Sequence, residues 1–269
     1  FHHFTGTIGI NGMTQGNTYS GRFFIPNYRN YSGGIYWIER YTKNKLQIEA
    51  GFRYDYRWLK IYKYESNVIV SPIYKYENPS ITLGAIYKRS DKLSFNLNAG
   101  SAWRAPGVNE LYSDGIHHGT ATFEIGDRNL TPEKAYNFIA GVNYQSEKFH
   151  LEVEAYHNIV DGFIYLQPRL PATVTIHGSF PTFVYTQVNA RFSGIDAQFN
   201  YRIIPSLLLT TKTSILRAFD QINNNWLIQM PADKVSEAAT YNMKSYGKLT
   251  NNYITVSAEY TNKQWRVPA

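Results

Sequence analysis

The run Leu46-Gln47-Ile48-Glu49-Ala50-Gly51-Phe52-Arg53-Tyr54-Asp55-Tyr56-Arg57-Trp58 alternates residue by residue between apolar and polar or small side chains. Successive side chains of an extended chain point to opposite faces. Leu46, Ile48, Ala50, Phe52, Tyr54, Tyr56 and Trp58 therefore share one surface. Gln47, Glu49, Gly51, Arg53, Asp55 and Arg57 share the other. The pattern recurs downstream, where Leu93, Phe95, Leu97, Ala99 and Trp103 oppose Ser94, Asn96, Asn98, Gly100 and Arg104. Tyr136, Phe138, Ala140, Val142 and Tyr144 form another apolar face, and Ile195, Ala197, Phe199, Tyr201 and Ile203 oppose Asp196, Gln198, Asn200 and Arg202.

These runs last about 11 to 15 residues, against roughly 5–6 for strands of globular proteins, and suffice to cross a bilayer when tilted. A soluble sandwich also alternates, but with shorter strands whose apolar faces meet in one shared core. Aromatics near the run ends, including Tyr54, Tyr56, Trp58, Trp103, Tyr136 and Tyr144, suit the interfacial girdles of a membrane barrel. Composition agrees: the 269 residues include 23 Tyr, 15 Phe and 5 Trp, with 17% charged, and mean hydropathy is -0.39. No apolar window is long enough for a membrane helix. The net charge of +7 is spread without a Lys/Arg run, which argues against a nucleic-acid partner. Cysteine is absent, so disulfide frameworks and thiolate metal sites are excluded.

Connections alternate in length. Short turns are predicted at Thr42 to Lys45, Ser90 to Lys92, Gln145 to Lys148, Ile204 to Ser206 and Ser245 to Asn251. Long loops are predicted at Gln15 to Asn30, Ile61 to Ser80, Arg104 to Glu133, Gln167 to Thr182 and Arg217 to Pro231. The expected fold is all-β: a transmembrane antiparallel β-barrel segment of about 11 strands, with short periplasmic turns and long extracellular loops. The face of Leu46, Ile48 and Ala50 should meet lipid, and that of Glu49, Arg53 and Asp55 the lumen. Arg in place of Ala50 should then be costly, and Arg in place of Gly51 better tolerated. A sheet in lipid leaves no open edge, so an odd-numbered piece implies closing strands elsewhere. Phe1 to Ile10 already alternates and Trp265 to Ala269 lacks a closing feature, so 1–269 is expected to be one part of a larger barrel.

The central loop carries Trp103-Arg104-Ala105-Pro106, Asn109-Glu110-Leu111-Tyr112 and Asn129-Leu130-Thr131-Pro132-Glu133. In order and spacing these resemble the aromatic-Arg-Ala-Pro, Glu-Leu-Tyr and Asn-Leu-x-Pro-Glu motifs of TonB-dependent outer-membrane receptors. Tyr156 to Ile164 resembles the family's next strand and loop. Val188-Asn189-Ala190-Arg191-Phe192-Ser193-Gly194-Ile195-Asp196 resembles its Asn-x-x-x-x-x-Gly-hydrophobic-acidic strand. The resemblance covers roughly Leu46 to Ala269. It implies a barrel of about 22 strands plugged by an N-terminal domain, with a TonB-contacting segment ahead of the plug; plug, segment and closing strands lie outside this sequence. It also implies location in the outer membrane against lipid and lipopolysaccharide, coupling to TonB-ExbB-ExbD through the N-terminal region, and a place for a surface lipoprotein partner. The implied function is TonB-dependent uptake of a metal chelate, with no intrinsic cofactor. A ferric siderophore is the default cargo.

The stretch Gly115-Ile116-His117-His118 with Phe123-Glu124-Ile125-Gly126 resembles a subset of the family that includes zinc and haem importers. His117 and His118, with Asp114, Glu124 and Asp127 nearby, offer imidazole and carboxylate ligands to zinc, copper or iron, and a histidine also ligates haem iron. Adjacent histidines point apart, so hydrogen bonding within the loop is the plainer reading of the pair. Tyr112 and Phe123 would stack on a planar cargo or pack the loop. His150, Glu152 and Glu154 share the lumenal face, as a ligand row or as partners of plug or cross-strand arginines such as Arg53 and Arg57. Glu49, Arg53, Asp55, Arg57 and Arg104 would line the lumen and pair with the plug. Arg104, where the strand becomes the loop, reads first as a structural corner, because Pro106 fixes the backbone just after it. His2-His3 forms a further pair at a strand end. No Gly-x-Ser-x-Gly elbow, phosphate-binding Gly loop or His-Glu-x-x-His motif occurs, which disfavours a surface hydrolase. A passive porin is the other alternative, to be separated from a receptor by whether uptake needs the proton-motive force.

Overall fold

The computed structural model describes residues 3–20, 24–66 and 68–268. In chain order they form β1 (Phe4–Asn17), β2 (Asn27–Lys43), β3 (Leu46–Glu65), β4 (Val68–Val70), β5 (Ile73–Lys88), β6 (Leu93–Arg104), α1 (Val108–Tyr112), β7 (Asp114–His117), β8 (Thr122–Ile125) and β9 (Glu133–Gln145). There follow β10 (Phe149–Thr175), β11 (Gly178–Ile204), β12 (Leu207–Asp220), β13 (Asn225–Trp226), β14 (Lys234–Asn242) and β15 (Tyr253–Thr261). The sheet runs in the order β1-β2-β3-β5-β6-β9-β10-β11-β12-β14-β15, an antiparallel path of the eleven strands that the alternation predicts. The remaining strands are short and lie beyond its long hairpins: β4 pairs with β3, β13 with β12, and the β7–β8 hairpin reaches β11 through β8.

The register keeps each face pure. Phe52 lies between Trp37 and Ile81, and Ile48 between Tyr41 and Ala85. This outward face leaves Ile8 79%, Leu97 61% and Val256 70% exposed, a continuous apolar surface that a protein in water would have to cover. The opposite face is polar and internally paired. Arg53 Nε donates to Asp55 Oδ2 at 2.6 Å, and Arg40 grips Glu49 at 2.6 and 2.9 Å.

His150 bonds Asn143 at 3.2 Å and Asn200 at 3.3 Å, and Glu154 accepts from Asn96 at 3.4 Å. Pairing of the His150, Glu152 and Glu154 row with Arg53 and Arg57 does not occur, because β5, β6 and β9 separate β3 from β10. Gly51 is also not a permissive lumenal position. It is buried, and a Cβ there would come within 2.7 Å of the Thr82 methyl.

Two of the predicted long loops are largely paired strand, and a third is partly so. β3 and β5 remain in register as far as Lys60↔Ile73, and β10 and β11 as far as Thr175↔Gly178; β1 and β2 extend to Asn17 and Asn27. Beyond the membrane both faces of a hairpin meet water, so no period-two pattern is selected while hairpin pairing still satisfies the backbone. Pro168 and Pro171 read as loop residues; Pro171 lies within a register shift between Arg169 and Thr173 and Pro168 just before it, where a proline's missing amide is tolerated. Only the central loop keeps its predicted bounds, with β6 ending at Arg104 and β9 starting at Glu133.

Candidate functional site at the loop end of the barrel

The central loop does not project freely from the sheet. Val108, Leu111, Tyr112 and Leu130 pack onto Leu59, Ile61 and Ile164 in one buried cluster. Leu59 and Ile61 continue the lumenal face of Arg53, Asp55 and Arg57 along β3, so the loop folds inward across the barrel mouth. Its apolar residues are hidden from water by this inward turn.

Arg104 governs the corner. Its guanidinium donates to both Glu133 oxygens at 2.7 and 2.9 Å and to both Glu110 oxygens at 2.8 and 2.9 Å. Glu110 also accepts the Gly107 amide at 2.6 Å, which caps the single turn of α1. Glu133 accepts the Ile164 amide at 2.6 Å. Beneath them Arg57 binds Asn30 at 2.8 Å and reaches the carbonyls of Ala105 and Pro106, each at 3.4 Å.

The motif residues are thus architectural. Arg104 pairs within the chain and needs no plug to satisfy it. Asn129 closes a turn onto Asp127, its amide donating at 2.9 Å. Gln187 clamps Thr131 at 2.7 and 2.9 Å and the Gly162 carbonyl at 2.8 Å. Gly162 sits in the left-handed region at φ 67, which suits glycine, and its amide donates to Asn189 at 3.1 Å.

Tyr112 belongs to this support rather than to an open site. It is 4% exposed, its hydroxyl shares a hydrogen bond with that of Tyr74 at 2.6 Å, and the Arg128 guanidinium lies 5.1 Å from its ring centroid. Arg128 in turn pairs with Glu65. Burial, then the bond to Tyr74, push the Tyr112 phenol well above its ordinary pKa. It acts as a neutral wedge.

The β7–β8 hairpin crosses above. His117 Nδ1 lies 2.7 Å from Glu124 Oε1, and Glu124, 4% exposed, is also bonded by Thr122 and by Tyr185, each at 3.3 Å. A buried carboxylate on Nδ1 fixes the ring and leaves Nε2 for a ligand, the usual support of a metal-binding histidine. Phe24 packs on the His117 ring at 5.1 Å.

His118 points elsewhere, into a cavity of about 480 Å³ that it lines with His177, Asp114, Tyr19, Phe24 and Ile25. The cavity therefore joins three connections: β1–β2, the central loop and the β10–β11 tip. No group of three or more metal-ligating side chains converges among the described residues. Of the cluster grouped in the sequence, His117 and Glu124 meet, His118 and Asp114 line the cavity, and the two histidines diverge as neighbours do. His3 reaches the Thr42 carbonyl at 3.0 Å; its companion His2 lies outside the described residues. His177, Phe24 and Tyr185 are additions from the structure. Each lies more than fifty residues from His118 or Glu124 along the chain, and no local pattern links them.

Long antiparallel strands, an apolar outer belt and a polar inner wall are the features of a segment of a membrane β-barrel. Residues 2–269 match the family model described as TonB dependent receptor-like, beta-barrel, and the chain belongs to that family. Heme/hemopexin utilization protein C of Haemophilus influenzae (strain 86-028NP) is 28% identical over 257 residues, covering 87% of this chain and 34% of that protein. The chain thus spans about a third of the length of the curated relatives it matches. Among solved structures, the copper transporter OprC superposes with a TM-score of 0.78 at 16% identity, over 100% of this chain and 43% of that one. The Serratia marcescens hemophore receptor HasR, solved with its hemophore HasA and heme, gives 0.67 at 16% identity over 90% of this chain and 46% of HasR. At such identities the structural likeness speaks for the fold alone.

Proposed function

We propose that the chain is the barrel part of an outer-membrane receptor that takes up a metal chelate by TonB-dependent transport, with haem as the cargo its loop site suits best. On this reading the plug and the TonB-contacting segment belong to the rest of the full-length protein, and TonB-ExbB-ExbD supplies the energy. The carrying observation is the shared cavity of His118 and His177, whose imidazoles come from different loops. Haem iron accepts imidazole nitrogen, Phe24 offers an aromatic ring to a planar macrocycle, and the volume lies within the range of small-ligand sites. His117, held by Glu124, offers a third imidazole beside Phe24. The Haemophilus influenzae relatives named for heme and hemopexin use point the same way.

Haem titration followed by the Soret band tests the site. His118→Ala combined with His177→Ala should weaken binding by roughly tenfold or more, about 1.4 kcal/mol, with the amount of folded receptor unchanged. Unaltered binding would remove haem from this cavity. A ferric siderophore, held by organic groups rather than by imidazole, would then be the better cargo.

A further inference from the structure

Charge is distributed unequally between the two ends of the barrel wall. At the loop end cations are matched by carboxylates: Arg104 by Glu110 and Glu133, Arg128 by Glu65, and Arg217 by Asp233. At the other end exposed cations stand in or beside each of the five short turns, among them Lys45, Arg89, Lys92, Lys148, Arg202 and Lys248. The acidic residues within those turns are Asp91 and Glu147. Among the described residues none of the six cations forms an ion pair with a carboxylate. The Lys45 ammonium donates instead to the Arg89 carbonyl at 3.0 Å and ties two turns together. The charge is most concentrated where the β9–β10 turn meets the end of β11. Lys148 stands opposite Arg202, whose amide donates to the Lys148 carbonyl at 2.8 Å, one step past the Phe149↔Tyr201 pair. Both line a cavity of about 430 Å³ with Glu147, His150 and Asn200. Asn200 is fixed there by the Thr210 hydroxyl at 2.8 Å. Like charges directly opposite one another destabilise a sheet. Such a pair is stable where an external anion completes it.

Position and spread identify the anion. Arg202 follows Asp196, Gln198 and Asn200 in strand parity, and Lys148 precedes His150 in the same way, so this pair stands on the lumenal side of the wall, away from lipid headgroups. The five turns span roughly 50 Å of rim at the spacing of tilted strands, farther than one small anion reaches. The occupant is therefore extended and carries repeated negative charge. Turns of this kind face the periplasm, where the cell wall is a polymer whose stem peptides bear more carboxylates than amines. We propose that the turn end of the barrel is a docking surface for the carboxylates of peptidoglycan stem peptides, with one stem peptide seated in the cavity between Lys148 and Arg202. The Asn200 side chain and the two cations suit a carboxylate there, and the remaining rim cations hold neighbouring stem peptides. The proposal rests on the orientation of the barrel and is independent of the cargo.

Cosedimentation of the full-length receptor, in detergent micelles, with purified peptidoglycan sacculi gives the affinity. Lys92→Gln, Lys148→Gln and Arg202→Gln together should lower it roughly tenfold, the scale of three solvent-exposed charge contacts. Lys60→Gln, Lys75→Gln and Arg169→Gln together remove the same charge at the loop end and should leave it unchanged. Converting the sacculus carboxylates to neutral amides should abolish binding by the unaltered receptor. That arm carries the test should the rim variant fail to fold, judged by heat-modifiable gel migration. Wild-type affinity in the folded rim variant would mean that these cations pair with the rest of the receptor's own chain, and it overturns the proposal. Undiminished binding to amidated sacculi overturns it as well. Haem titration of the same variants reads the loop cavity separately, so failure of one site leaves the other standing.

Discussion

Replacing Leu111 by Ala should destabilise the docked loop by about 2–5 kcal/mol, the range for truncating a fully buried leucine. Leu111 is 1% exposed and joins the loop to Leu59, Ile61 and Ile164 on the inner wall. The strands do not depend on it, since their ladders run from Leu93↔Tyr144 to Arg104↔Glu133 beneath the loop. Limited proteolysis should therefore cut the variant between Gly107 and Pro132 while the barrel band keeps its folded mobility on gels. Haem affinity should fall with it, because the β7–β8 hairpin rides on this anchor through the Gly126 amide, which donates to the Ser113 carbonyl at 2.7 Å. A loop as protease-resistant as the parent's would mean that the Arg104 ion pairs alone hold it.

Ala50→Arg is expected to weaken folding into lipid by about 2–4 kcal/mol, the penalty for arginine near the midplane of a barrel's lipid face. Ala50 is exposed on the apolar surface between Ile48 and Phe52. The matching lumenal substitution must avoid Gly51, where the Thr82 methyl leaves no room. Asn98→Arg, on the exposed polar face of β6, is the better comparison and should cost well under half as much. Urea titration of both variants in lipid vesicles gives the difference directly. Equal penalties would reverse or abolish the assignment of faces.

What the sequence reveals here follows from the range of each signal. Alternation from Leu46 to Trp58 sorts the residues onto two faces as the register has them, because the strand period is local. The bounds at Arg104 and Glu133 are legible for the same reason, since polar and turn-forming residues replace alternation abruptly. The continuation of β10 and β11 to 27 residues each was hidden, because water on both sides of a hairpin selects no pattern. Tyr112 reads equally well as a cargo contact or as packing, and its partner Tyr74 is thirty-eight positions away. His118 and His177 come together only because the sheet stands β10 and β11 beside β9, which carries the central loop's end.

The in-register pair Arg104↔Glu133 gives the central loop a further property. Both feet rest on a single rung of one ladder, so the chain between them is a ring already closed by the barrel. Lengthening a closed ring is thermodynamically mild, about 0.6 kcal/mol for each doubling. The exposed tip from Gly119 to Ala121 joins β7 to β8 and takes no part in the Leu111 cluster or the Arg104 knot. Residues there are free to be inserted, lost or exchanged without disturbing any strand, so evolution is able to retune what the mouth recognises while the wall that spans the membrane stays the same.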